Sequence, residues 1–183
     1  LVGPQLDVAG RALSLAARRL RRLVDNVAFQ RIHHPVRVLR AEAVELSRNA
    51  VGIAQLNADR HDVADRLTVH CGSWFGPVSK GTKFDLITSN PPYIAGPVIA
   101  SLPPEVREHD PRLALDGGAD GLAAYRQILA TATTYLKPGG RVMLEIGFDQ
   151  AAAVGLICRE SGLYQVSVHT DLGGQDRVIV AHC

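Results

Sequence analysis

From about residue 36 onward, six short runs of β-branched and apolar residues alternate with helical patterns, but the last two runs are only six residues apart. That gap, 171–176, contains Gly173-Gly174. A parallel pair needs a crossover of about a dozen residues or more, so runs 165–170 and 177–181 are restricted to an antiparallel hairpin. The earlier runs, 41–45, 67–70, 84–88 and 141–146, are interleaved with helical segments at 49–59, 121–136 and 150–161. Alternation of this kind makes a parallel sheet covered on both faces. The 121–136 pattern is the clearest. Leu122, Tyr125, Ile128, Leu129, Ala132 and Leu136 fall at i, i+3, i+4 spacing, and Lys137-Pro138-Gly139-Gly140 then acts as a stop. The expected architecture is therefore a mostly parallel α/β sheet that ends in an antiparallel hairpin, which points away from the dinucleotide dehydrogenases.

At 183 residues, with 46% hydrophobic and 21% charged, the chain has the size and composition of one globular domain. No apolar run reaches the ~18 residues of a membrane span. The net charge of +2 is unevenly placed: residues 1–40 carry eight Arg against two Asp, so the remainder is net −4. A negative body weighs against a nucleic-acid partner, and the Arg run at 18–22 reads as a solvated helix face. Cys71, Cys158 and Cys183 form no CxxC pair and are odd in number, which predicts reduced thiols and a cytoplasmic protein. His33-His34-Pro35 reads as a break, and with no carboxylate or Cys at ligand spacing no metal is expected. The chain begins at Leu1 and its one Met is Met143, which suggests a fragment or a misread start. Its first apolar stretch, broken by Asp7, Arg11 and Arg18-Arg19, does not read as a cleavable signal.

The run at 84–88 reads as a buried strand and leads directly into Ser89-Asn90-Pro91-Pro92-Tyr93-Ile94. Asn-Pro and Pro-Pro are ordinary turn dipeptides, but ligands of open α/β sheets bind beyond the carboxyl ends of strands. Asn90 brings a side-chain acceptor and Pro91 a backbone acceptor. The two prolines lack N–H groups and have fixed φ, which stiffens the loop. Tyr93 offers a flat face for a planar group. Two acceptors side by side suit an NH2 group, as found on an amide or on the exocyclic position of a base.

Asn-Pro-Pro-Tyr after such a strand resembles the amino-methyltransferases that use S-adenosylmethionine. Further residues narrow the resemblance: Glu105, Glu108-His109-Asp110-Pro111-Arg112-Leu113-Ala114-Leu115 and Asp116-Gly117-Gly118-Ala119-Asp120-Gly121-Leu122. So do Tyr125-Arg126, Pro138-Gly139-Gly140, Leu144-Glu145-Ile146-Gly147 and Asp171-Leu172-Gly173-Gly174-Gln175-Asp176-Arg177-Val178. Together they are similar to the HemK/PrmC family, the glutamine methyltransferases of peptide chain release factors, over about 41–183. The resemblance implies a three-layer αβα, Rossmann-like class I methyltransferase fold and S-adenosylmethionine as cofactor. It also implies a release factor as partner, with the chain acting as a monomer. In this reading Asn90 and Pro91 are catalytic, and Asn90, Pro91, Pro92 and Tyr93 bind the substrate amide. The cofactor falls to Gly10, Glu45, Trp74 and Asn90. Glu45, ending the first strand, is a ribose-binding carboxylate or a plain surface glutamate. Trp74, in Gly72-Ser73-Trp74-Phe75, is an adenine contact or a core tryptophan.

The head departs from the family. Where the family has an Asp-Leu-Gly-Thr-Gly-Ser-Gly type of loop, this chain has Asp7-Val8-Ala9-Gly10-Arg11-Ala12, with only Gly10 retained. Residues 1–40 are thus an atypical or truncated head to a catalytic domain taken as 1–183, and the helical substrate-recognition domain that the family carries is expected to be missing. Two alternatives stay open: a catalytically silent remnant or binding module of the same fold, and an amino-methyltransferase acting on nucleic acid.

Overall fold

A computed structural model describes residues 40–183. The expected strand and helix around Leu6–Leu23, and Gly10 with them, lie outside the described residues. The chain divides into two compact units, 1–78 and 79–183, each considered by itself.

In the first unit, β1 (Ala41–Glu45) leads through helix α1 (Arg48–Arg60) to β2 (Leu67–Cys71). The two strands pair in parallel, Ala41 opposite Leu67 and Glu45 opposite Cys71. Ser47 begins the helix, its Oγ accepting the Ala50 N–H at 3.4 Å, the usual way an orphan first-turn donor is satisfied. These are the strands and helix expected from 41–45, 49–59 and 67–70, each within a residue.

The second unit contains β3 (Phe84–Ser89), a 3-10 helix (Gly96–Ser101), and two single-turn helices, α2 (Pro104–Arg107) and α3 (Arg112–Leu115). Then come α4 (Ala123–Tyr135), β4 (Leu136–Glu145), α5 (Ala151–Glu160), β5 (Tyr164–Thr170) and β6 (Asp176–His182). Its sheet has the order β3-β4-β6-β5. β3 and β4 are parallel, whereas β6 runs antiparallel to both β4 and β5. The six-residue gap thus makes the antiparallel hairpin that its length requires. The turn is closed by Asp171, whose carboxylate accepts the Gly173 and Gln175 N–H groups.

Apolar periodicity explains the core. α4 buries Ala124, Tyr125, Ile128, Leu129 and Ala132, and α5 buries Val154 and Cys158. β4 and β6 contribute Leu136, Val142, Leu144, Ile179 and Val180. Burial raises the Cys158 thiol to about 11, so it stays a neutral packing group.

Two expectations are corrected. Lys137-Pro138-Gly139-Gly140 does more than end a helix: Leu136 already begins β4, and the ladder slips from Phe84 opposite Leu136 to Leu86 opposite Arg141. The inserted residues bulge outward, and the chain end holds the bulge through Gly139 N–H to Cys183 O at 2.7 Å and Cys183 N–H to Gly140 O at 2.9 Å. β3, in turn, is only partly buried, with Leu86 40% exposed. Among the described residues its ladder partner is β4.

Candidate functional site

β3 ends at Ser89, opposite Leu144 of β4, so Asn90-Pro91-Pro92-Tyr93 leaves the sheet at the strand's carboxyl end. Asn90 is exposed, Pro91 buried, and Pro92 and Tyr93 half-buried. The arrangement pins the loop by Pro91 and leaves Asn90 exposed.

A second segment supports this loop. Ile94 forms a parallel bridge with Asp116. Its N–H donates to Leu115 O at 3.0 Å, and its carbonyl accepts the Gly117 N–H at 2.8 Å. Gly96 N–H then donates to Gly118 O at 2.8 Å. The approach is so close that a Cβ on Gly117 would lie 2.9 Å from Pro92 O. One on Gly121, where φ is +75°, would lie 2.5 Å from Tyr93 O. Neither position tolerates a side chain, which is why the Asp-Gly-Gly-Ala-Asp-Gly string has its glycines.

The two aspartates of that string lock it. Asp116 accepts the Gly118 N–H at 3.0 Å and pairs with Arg112 at 3.3 Å. Asp120 accepts the Leu122 N–H and both terminal nitrogens of Arg126, at 3.1 and 2.6 Å. The Arg126 guanidinium is the main reason that the Asp120 carboxyl falls to about 2.

Beneath the loop sits Gln150. Its Nε2 donates to Tyr93 O at 2.9 Å and to Gly121 O at 3.3 Å. Its Oε1 accepts the Gly147 N–H at 2.9 Å and the Tyr125 hydroxyl at 3.4 Å. Tyr125 is fully buried, donates to Glu145 O at 2.8 Å, and has its hydroxyl pKa pushed well up by burial. Arg177 donates to Ile146 O at 3.3 Å and pairs with Asp171, which ties the hairpin to the turn after β4. Neither the spacing nor the periodicity of the sequence singles out Gln150. The one available signal is its place three residues after Gly147, at the entry to a helix.

In the first unit, Glu45 is the last residue of β1 and is half-buried, and its Oε1 accepts the Ser47 N–H at 2.8 Å. The Gly72 N–H donates to Glu45 O at 3.0 Å, bringing the turn that carries Trp74 to the same strand end. Trp74 adopts a left-handed φ of +49° and is half-buried, outside the core. Glu45 and the Trp74 turn are thus brought together, as are Asn90, Pro91, Pro92 and Tyr93 within the second unit. A carboxylate fixed at a strand end can accept sugar hydroxyls, and an indole can flank a base. Among the described residues no group of three or more His, Cys, Asp or Glu could hold a metal ion.

No family model matches the chain. It is 48% identical over 139 residues to the release factor glutamine methyltransferase of Cereibacter sphaeroides, covering 76% of this chain and 49% of that protein. To the enzyme of the same name from Caulobacter vibrioides it is 44% identical over 137 residues, covering 75% and 47%. The chain therefore spans about half the length of these relatives. Among solved structures, a methyltransferase from Pyrococcus furiosus superposes with a TM-score of 0.56 at 19% identity, over 90% of this chain and 68% of the other. The hMettl16 catalytic domain, in complex with an RNA hairpin, gives a TM-score of 0.62 at 14% identity, over 80% and 56%. The fold is the α/β fold of the class I methyltransferases.

Proposed function

Over the three quarters of its length that align, the chain belongs to the release factor glutamine methyltransferase family, and on that premise we propose that it methylates the side-chain amide nitrogen of a glutamine in a peptide chain release factor. The observation that carries the reading is the Asn90-Pro91-Pro92-Tyr93 loop at the carboxyl end of β3, held by the bridge to Asp116 and by Gln150.

A carboxamide nitrogen is a poor nucleophile because its lone pair is delocalised into the carbonyl. Asn90 Oδ1 and the Pro91 carbonyl each accept one N–H of the substrate amide and turn the remaining face of the nitrogen toward the methyl donor. Orientation of this kind contributes on the order of several kcal/mol. The same two acceptors stabilise the positive charge that grows on nitrogen. The carbon–nitrogen bond would form as the methyl carbon–sulfur bond of the donor breaks, its electron pair staying on sulfur to leave a neutral thioether, and the extra proton would leave to water without a strong base. Tyr93 packs on the amide plane and excludes solvent.

S-adenosylmethionine supplies an electrophilic sulfonium methyl. The chemistry of the donor set suits it: Glu45, its carboxylate fixed by the Ser47 N–H, accepts the ribose hydroxyls, and the half-buried Trp74 flanks the adenine. Gly10, outside the described residues, is assigned to the methionine part, and Asn90 serves both ligands. In this reading 1–183 is one catalytic domain, monomeric and cytoplasmic, that does not take nucleic acid as its direct substrate. Among the described residues no helix is long and apolar enough to cross a membrane.

The test is mass spectrometry of a release factor, or of a peptide bearing its Gly-Gly-Gln segment, after incubation with the chain and the methyl donor. One methyl on the glutamine is expected. None is expected when that glutamine is replaced by asparagine, whose amide falls about one methylene short of the loop. Label on Arg, Lys or a nucleic acid would overturn the substrate class.

A further inference from the structure

The Gln150 side chain joins the Asn-Pro-Pro-Tyr loop to the turn after β4. Its amide is engaged at both ends, donating to Tyr93 O and Gly121 O and accepting from the Gly147 N–H and the Tyr125 hydroxyl. The partners come from four segments: the loop after β3, the glycine string, the N-terminal half of α4 and the turn after β4. Three of them are main-chain groups, and the fourth, Tyr125, is itself fixed to Glu145 O. A side chain needed only to begin α5 would cap that helix. Here the Gln150 amide contributes no side-chain cap to α5 and points back to the loop.

We infer that Gln150 is a positioning residue for the methyl-transfer reaction. By holding the Tyr93 carbonyl it sets the height and tilt of the Tyr93 backbone, and with them the distance of Asn90 and Pro91 from the substrate amide. It touches neither substrate nor donor. The inference rests on the function proposed above for this loop, but the linkage it describes is measurable without turnover. Removing the Nε2 donor takes the Gln150 bonds from Tyr93 O and Gly121 O together, so the ladder formed by Ile94, Gly96, Gly117 and Gly118 loses that support on one side.

The experiment compares the chain with Gln150→Ala and with Gln150→Glu. The second is isosteric and keeps an acceptor for the Gly147 N–H, but it turns an oxygen toward the Tyr93 carbonyl. Amide hydrogen exchange is expected to quicken in both variants over 93–96 and 117–121 and to stay unchanged in β5 and β6. In turnover of the release-factor peptide, kcat is expected to fall about tenfold or more while KM for the methyl donor moves by less than about twofold, the signature of a lost transition-state interaction. Unchanged exchange over 93–96 in Gln150→Glu overturns the inference whatever the activity. So does a variant that keeps more than half of the parent kcat. A parent chain that methylates nothing overturns the proposed function alone, and the exchange data then decide the linkage.

Discussion

Asn90 is exposed while the proline after it is buried, so the side chain assigned to orient the substrate stands on an anchored backbone. Asn90→Ala removes one of two acceptors and leaves the loop path intact. The expected result is a loss of more than about tenfold in methyl transfer, with donor affinity little changed, because orientation of the amide is realised in the transition state. Rates from single-turnover assays and affinities from calorimetric titration check it, and retention of more than about a tenth of the activity would remove Asn90 from that role. Gly121 makes the opposite demand. It has φ of +75°, and a Cβ there meets Tyr93 O at 2.5 Å and the Gln150 amide nitrogen at 2.8 Å. Gly121→Ala adds left-handed backbone strain of about 1–2 kcal/mol to overpacking of about 1–3 kcal/mol. Denaturant unfolding should show a loss of about 3 kcal/mol on those two contributions, and less than about 1 kcal/mol would mean that the approach to Tyr93 is looser than the geometry shows.

The hairpin, the strands and the three long helices were legible because chain length and apolar periodicity dictate them locally. The 104–107 and 112–115 turns were not, since four residues are too few to show a period. The glycine string was noticed only through resemblance; its purpose, close passage under Pro92 and Tyr93, depends on tertiary contact that no spacing reveals. The same holds for Gln150. Among elements, the turn from 118 to 122 is held by charge as well as by glycine. The Asp120 carboxyl is depressed to about 2 from its ordinary 3.8, chiefly by the Arg126 guanidinium. A depressed carboxyl contributes stability above its unfolded pKa and loses it as pH falls through the folded value. The turn should therefore be fully braced at neutral pH and released between about pH 4 and pH 2. Asp120→Ala should melt below the parent at pH 7 and coincide with it at pH 2. A gap that persists unchanged at pH 2 would show that the Asp120–Arg126 pair is not what braces the turn.

At the scale of the whole molecule, the substrate loop and the family relationship point one way and the head of the chain the other. The family's multi-glycine loop lets backbone approach the methionine part of S-adenosylmethionine, which only glycine permits. Val8-Ala9-Gly10-Arg11-Ala12 keeps a single glycine and adds a cation. A cation within a few ångströms of the donor's sulfonium would oppose binding by on the order of a few kcal/mol, or about ten- to a thousand-fold in affinity. Weak donor binding by the chain as it stands is the expected result, so methyl transfer should need a high concentration of the donor. Rebuilding the segment between Val8 and Ala12 as a Gly-x-Gly-x-Gly turn should recover affinity, since Glu45, Trp74 and Asn90 are unchanged. The comparison is one calorimetric titration of each protein with S-adenosylmethionine in the same buffer. Equal affinities would show that the loop does not limit binding, and that other residues of the chain supply the contacts the family takes from its glycines.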